Sequence, residues 1–116
     1  MAHHVVHFEV LGKDAAALQG FYGDLFGWSL NADNPMNYGI VKPDDAGIGG
    51  GVGPSPDGST LVTFYVEVDD LQAALDRAEE LGGKTVMPPM DVPGGGPSLA
   101  QFTDPEGNRI GLVKGM

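Results

Sequence analysis

Between Thr63 and Gly83, TFYVEVDDLQAALDRAEELGG, the apolar pattern changes its period once, and that change predicts two consecutive elements. The first residues are β-branched and aromatic and stop at Asp69-Asp70, which predicts a strand. Asp70 is suited to cap a helix, because its carboxylate accepts amide protons that the first turn leaves unpaired. Leu71, Ala74, Leu75, Ala78 and Leu81 then recur at helical spacing and predict one apolar stripe. Gly82-Gly83 predicts the stop, since glycine tolerates the left-handed backbone with which many helices end.

The same pattern stands 56 positions earlier, in HFEVLGKDAAALQGFYGDLFG, His7 to Gly27, without a gap. Six of the 21 positions are identical: Phe8/Phe64, Val10/Val66, Asp14/Asp70, Ala17/Ala73, Leu25/Leu81 and Gly27/Gly83. Strand face, helix cap, helix stripe and helix stop all recur, which points to an internal duplication.

Along the first strand, Val5 to Val10, alternation puts Val6, Phe8 and Val10 on one face and Val5, His7 and Glu9 on the other. The helix covers the face with Phe8 and Val10, so His7 and Glu9 are expected on the opposite side. Asp14 is the predicted cap, and Leu18, Phe21, Tyr22 and Leu25 are the expected buried stripe, which Gly20 and Gly23 weaken. Short strands are predicted at Trp28–Leu30, Tyr38–Val41 and Ile48–Val52. The run GIGGGVG, Gly47 to Gly53, does not fit a dinucleotide loop, because Val52 takes the third glycine slot and prolines follow where a helix should begin. It reads instead as a strand without side-chain bulk, beside a cavity or another backbone. Pro54 to Ser59 is the expected connector between two halves.

In the second half, Lys84–Met87, Leu99–Phe102 and Asn108–Val113 are predicted strands. The stretch from Met87 to Ser98 is expected to be a long ordered loop or an irregular hairpin, a form often found as a lid over a site. Asp104-Pro105-Glu106-Gly107 fits a type I turn. Each half thus reads strand, helix and three strands.

Composition narrows the function classes. The 116 residues suffice for one domain with a real core. The absence of cysteine excludes disulfides, thiolate metal sites and a cysteine nucleophile. Sixteen acids against six bases give a net charge of −10, which opposes binding to nucleic acid or to an anionic membrane. The start, MAHHVVHFEV, has neither a charged leader nor a long apolar run, so neither signal peptide nor membrane span is expected and the expected home is cytoplasmic. His3 and His4 carry no role in this reading.

The two βαβββ halves, with FYGDLFGW, VDDLQAALDRAEELGGK and FTDPEGNRIGL, resemble the vicinal oxygen chelate superfamily. This is the group of glyoxalase I, extradiol dioxygenases, fosfomycin-resistance enzymes and bleomycin-binding proteins. The resemblance covers nearly the whole chain. It implies an α+β fold in which two tandem βαβββ modules, about residues 5–57 and 61–115 of one domain, join their sheets in a cup around a ligand. It further implies divalent-metal ligands on the first and last strands of the modules. His7 matches the first such slot. Thr63 falls on the second, Gly49 or Gly50 on the third and Gly111 on the fourth, so His7 is the one ligand-type residue retained. A catalytic metal needs about three protein ligands, and glycine and threonine supply neither imidazole nor carboxylate. No metal and no other cofactor is therefore expected, and Glu9 and Glu67 offer a substitute ligand set only outside the family's positions.

The face carrying His7, Glu9, Thr63, Tyr65, Glu67 and Arg109 is polar and, with Tyr38 and Met90, forms the expected small-molecule site. Met36 and Met87 are further candidate walls. His7, Glu9 and Glu67 are the candidate acid–base residues. Phe64, Val66 and Val68 are expected under the helices. Three functions fit: a metal-free protein that binds a small organic molecule, an enzyme using substitute ligands or His/Glu acid–base chemistry, and an interaction module with a vestigial cavity. The first is preferred, with a symmetric homodimer as the expected assembly.

Overall fold

The computed structural model describes residues 2–92 and 95–116. The chain divides into two compact units, residues 7–63 and residues 1–6 with 64–116. Their elements follow the predicted order. Strand β1 (Val5–Gly12) leads to helix α1 (Ala15–Phe26), then to β2 (Leu30–Asn31), β3 (Gly39–Val41), a one-turn helix α2 (Pro43–Ala46) and β4 (Gly49–Pro54). Strand β5 (Leu61–Glu67) leads to α3 (Leu71–Glu80), β6 (Lys84–Asp91), β7 (Ser98–Thr103) and β8 (Arg109–Lys114). The fold is α+β, built from two βαβββ modules. Only α2 was absent from the sequence pattern, because four residues are too few to show a helical period.

Helix entry and exit follow from the predicted residues. Asp14 accepts the amide proton of Ala17 at 3.0 Å, and Asp70 accepts that of Ala73 at 3.0 Å. Each acid thus pairs a donor that the first helical turn leaves open. Gly27, at φ 73°, ends α1 in the left-handed conformation that a side chain disfavours. The Asp104 turn also forms: its carboxylate accepts from the amides of Glu106 and Asn108, and Gly107 N–H donates to Asp104 C=O at 2.9 Å.

In the unit holding residues 7–63, the strand order is β2-β3-β4-β1, with β1 and β4 parallel. In the other unit it is β5-β8-β7-β6, with β5 and β8 parallel. The core of this second unit lies under α3, where Val68, Leu71, Leu75, Ala100 and Leu112 are buried together with Val66 and Phe102 packed against them. Val66, Leu112 and Ala100 stand in register across three strands. The predicted alternation therefore holds for Val66 and Val68.

Several packing expectations do not hold. Phe64 shares the face of Val66 and Val68, yet it is 39% exposed, because it lies two residues before the patch that α3 covers. Tyr65, on the opposite face, is 4% exposed. In α1, Leu18 and Tyr22 are half-buried, but Phe21 and Leu25 are exposed, and Leu81, beyond the end of α3, is exposed as well. Helical spacing gives the side of a helix but not how far the neighbouring strands extend beneath it. The stretch from Met87 to Ser98, by contrast, takes the second of its two expected forms, an irregular hairpin: β6 and β7 pair with register shifts between Thr85 and Met87 and between Met87 and Met90. Pro93 and Gly94, within that stretch, lie outside the described residues.

Candidate functional site

Strand β4 is the floor of the site. Its glycines pair with β1 in parallel, His7 opposite Gly49, Phe8 opposite Gly50 and Glu9 opposite Gly51. Side chains alternate across a strand, so His7, Glu9, Gly49 and Gly51 share the face away from Phe8. On the other face the Phe8 ring occupies the place of a Gly50 side chain, where a Cβ would stand 2.0 Å from Cε2. Gly50 thus points toward the aromatic cluster of Phe8, Trp28, Tyr22 and Phe26, where Phe8 and Trp28 centroids lie 5.3 Å apart. It does not share a face with His7, which removes it as a metal-ligand slot.

On the face with His7 the glycine strip is covered by Tyr38. A Cβ on Gly51 would lie 1.9 Å from the Tyr38 Cζ, and one on Gly53 would lie 2.8 Å from its Cδ1. Glycine is required at 51 because the ring rests on the bare backbone. The Tyr38 hydroxyl donates to Glu9 Oε2 at 2.8 Å and stands 2.8 Å from His7 Nε2. A phenol has one proton; given to Glu9, it leaves the oxygen to accept from His7, which puts the His7 ring proton on Nε2. The His7 and Tyr38 rings lie nearly parallel, at 14° and 6.1 Å between centroids. Burial lowers the His7 pKa, because charging the imidazole away from water is unfavourable. His7 is therefore neutral at pH 7.

Tyr38 is placed by the turn before β3. Its amide donates to Asn34 Oδ1 at 2.9 Å, and Asn34 Nδ2 donates to its carbonyl at 2.7 Å. Asn37, at φ 52°, is the one non-glycine residue with positive φ among those described. Asn34 is a positioning residue that sequence reasoning did not find; its signal was an Asn-Pro pair at the head of a turn.

The second unit carries the other predicted residues. Tyr65, Gly111 and Gln101 stand side by side on β5, β8 and β7, on the face away from α3. The Tyr65 ring fills the place of a Gly111 side chain, whose Cβ would be 2.3 Å from Cδ2. Its hydroxyl accepts from Gln101 Nε2 at 3.0 Å. Gln101 was not foreseen, although its polar side chain alternates with Ala100 and Phe102 on a strand. Glu67 and Arg109 fall on the same face by register, two residues from Tyr65 and Gly111. Thr63 is buried and belongs to the unit of residues 7–63. Met90 lies elsewhere, in a shallow groove of about 410 Å³ with Asp69, Asp70, Leu71 and Lys114 beside the start of α3. Met36 is exposed. The structure thus brings His7, Glu9 and Tyr38 together and groups Tyr65 with Gln101.

A divalent ion on the family's pattern does not fit these residues. His7 and Glu9 both spend a ligand atom on the Tyr38 hydroxyl, and the last-strand positions on their face are glycines, which offer no side-chain ligand, with Gly51 and Gly53 lying under that ring. Among the described residues no three His, Cys, Asp or Glu side chains converge. Nor is any helix among them long and apolar enough to cross a membrane.

Comparison with known proteins agrees with this architecture. Residues 4–112 match the Glyoxalase/Bleomycin resistance protein/Dioxygenase superfamily. A putative glyoxylase, CFP32 of Mycobacterium tuberculosis, is 32% identical over 108 residues, covering 85% of this chain and 41% of that protein. The anthracycline biosynthesis protein DnrV of Streptomyces peucetius is 30% identical over 118 residues, covering 86% of this chain and 42% of that protein. The chain thus spans about two-fifths of the length of these curated relatives. Among solved structures, methylmalonyl-CoA epimerase from Mycobacterium tuberculosis superposes with a TM-score of 0.67 at 16% identity, over 97% of this chain and 87% of that one. A hypothetical protein from Bacillus halodurans superposes at 0.71 with 11% identity, over 100% and 96%. At such identities the likeness is one of fold. With its duplicated βαβββ modules and its match over residues 4–112, the chain belongs to the Glyoxalase/Bleomycin resistance protein/Dioxygenase superfamily.

Proposed function

We propose that this protein binds a small organic molecule on the sheet face that carries His7, Glu9 and Tyr38, without a catalytic metal. The observation behind this reading is the Tyr38 hydroxyl held between His7 and Glu9 at 2.8 Å on each side. Three convergent polar groups over a strip of bare backbone can orient a ligand, and among the described residues no third His, Cys, Asp or Glu joins His7 and Glu9 to make a metal site. Relatives named for a glyoxylase and for anthracycline biosynthesis support a small organic ligand without selecting one reaction. The modules, about residues 5–57 and 61–115, the cytoplasmic location and a symmetric homodimer belong to the same proposal.

The test is a fragment screen by thermal shift on the wild type and on His7→Ala. Hits should be neutral or cationic, since Glu9 and the net charge of −10 repel anions, and His7→Ala should weaken them. Hits confined to anions, or hits indifferent to His7→Ala, would remove the site. A second reading, acid–base catalysis, is favoured by one observation: burial keeps His7 neutral at pH 7, the form in which imidazole accepts a proton. Mass spectrometry of a confirmed hit after incubation separates the two, because only an enzyme changes its mass or its isomer.

A further inference from the structure

We propose that the Tyr38 side chain occupies the ligand's own place, and that the site takes a planar phenolic compound whose ring replaces it. This rests on the reading of the His7–Glu9 face as a binding site and specifies what that site recognises.

The slot under Tyr38 is formed by residues other than Tyr38. Its floor is the backbone of Gly51 and Gly53, where any side chain would collide with the ring. Glycine weakens a strand, so a floor of glycines is explained by the close approach of something flat. The His7 ring lies end-on beyond the hydroxyl, nearly in the plane of the Tyr38 ring, and closes the far end of the slot. At the polar end, His7 Nε2 donates and Glu9 accepts. A group seated there must accept one hydrogen bond and donate another from a single atom, and it must lie at the edge of a flat ring. A phenolic hydroxyl does both. An aromatic ether cannot donate to Glu9, a carboxylate meets the charge of Glu9, and toluene replaces neither of the two hydrogen bonds that the Tyr38 hydroxyl makes.

Tyr38 is also placed so that its ring can leave. It precedes β3, and its backbone is held by Asn34 in the turn instead of by the strand ladder. Rotation about its side-chain bonds frees the slot without breaking a pair between β3 and β4. An incoming phenol restores the contacts that Tyr38 gives up, so ring and ligand compete for one place. Competition with an internal group lowers the apparent affinity by the fraction of time the slot is open. Removing that group therefore strengthens binding.

The experiment compares p-cresol, which is the tyrosine side chain as a free molecule, with toluene, on wild type and Tyr38→Ala. Binding is read by thermal shift and by the NMR signals of the His7 ring. Expected is binding of p-cresol to Tyr38→Ala at least about tenfold tighter than to wild type, with toluene far weaker and with the preference lost in Tyr38→Ala/Glu9→Leu, which has no acceptor there. Equal binding of p-cresol and toluene, or equal binding of p-cresol to wild type and Tyr38→Ala, overturns the proposal. Should Tyr38→Ala not fold, 2-naphthol titrated into wild type supplies the second readout. It should shift the His7 ring signals and leave those of His3 and His4 in place; unmoved His7 signals overturn the proposal. Failure here, beside a non-phenolic hit that His7→Ala weakens, removes the phenol and leaves the binding site. Failure of every hit to respond to His7→Ala removes the site itself.

Discussion

The ring of Tyr65 stands where a side chain at position 111 would have to go: a Cβ on Gly111 would lie 2.3 Å from Tyr65 Cδ2. Tyr65 is itself buried and hydrogen-bonded to Gln101, so it has little room to yield. Gly111→Ala should therefore destabilise the protein by about 1–3 kcal/mol through overpacking. A urea midpoint unchanged from wild type would show that the ring moves at no cost. Gly111→Glu should not create a metal site either, and zinc or manganese should leave its melting temperature where it was.

The two neighbours Phe64 and Tyr65 reverse the order of importance that strand alternation alone suggests. Tyr65→Ala should cost roughly 3–5 kcal/mol, comparable with loss of an aromatic from a core, while Phe64→Ala should cost well under half as much. Leu75→Ala, at the centre of the α3 core, sets the scale at about 2–5 kcal/mol. Chemical denaturation of the three variants decides the order. A larger loss from Phe64→Ala than from Tyr65→Ala would contradict it.

Tyr38→Phe keeps the ring on Gly51 and deletes the hydroxyl that serves His7 and Glu9 together. Leaving two half-buried groups short of a partner should cost about 1–3 kcal/mol. In the double variant Tyr38→Phe/Glu9→Leu the loss should fall short of the sum of the single losses, since both remove the same hydrogen bond. Strict additivity would mean that the pair does not interact.

His7 makes stability depend on pH. Burial lowers its folded-state pKa below the ordinary 6.5, so the unfolded chain binds the proton more readily. The contribution is complete above pH 6.5 and is lost as the pH falls from there toward the folded-state pKa. Glu9 and Tyr38 are the groups bonded into the same chain. Urea midpoints should drop between neutral pH and the onset of carboxylate titration, and His7→Gln should flatten that part of the curve. A wild-type profile level across that window would refute the assignment.

Assembly is tested by light scattering, where the proposed homodimer gives twice the 12.1 kDa of the chain. A monomer mass at working concentration would end that part of the proposal.

Much of this fold was legible because its signals are local. Asp14, Asp70, Gly27 and the Asp104 turn act within four residues of themselves, and the structure uses each as its chemistry predicts. The face of His7 and Glu9 followed from alternation alone. What stayed hidden were relations across long separations. Tyr38 was foreseen as a lining residue, but not its ring on Gly51 or its hydroxyl between His7 and Glu9, 31 and 29 residues away. The glycine run was correctly read as a strand lacking bulk, and only the structure reveals that Phe8 and Tyr38 supply the bulk on its two faces. Exposure of Phe64 depends on where α3 ends over the sheet, which no periodicity records.

Strand β6 ends its row in the second unit, and such a rim invites other chains to zip onto it. Pro88 and Pro89 sit within it and bring no amide proton to a strand ladder, and two register shifts break its straight run. The rim therefore offers no long, even template. Concentrated solutions of this acidic protein should resist fibril growth through β6, and Pro88→Val/Pro89→Thr, which restores both donors, should lower that resistance.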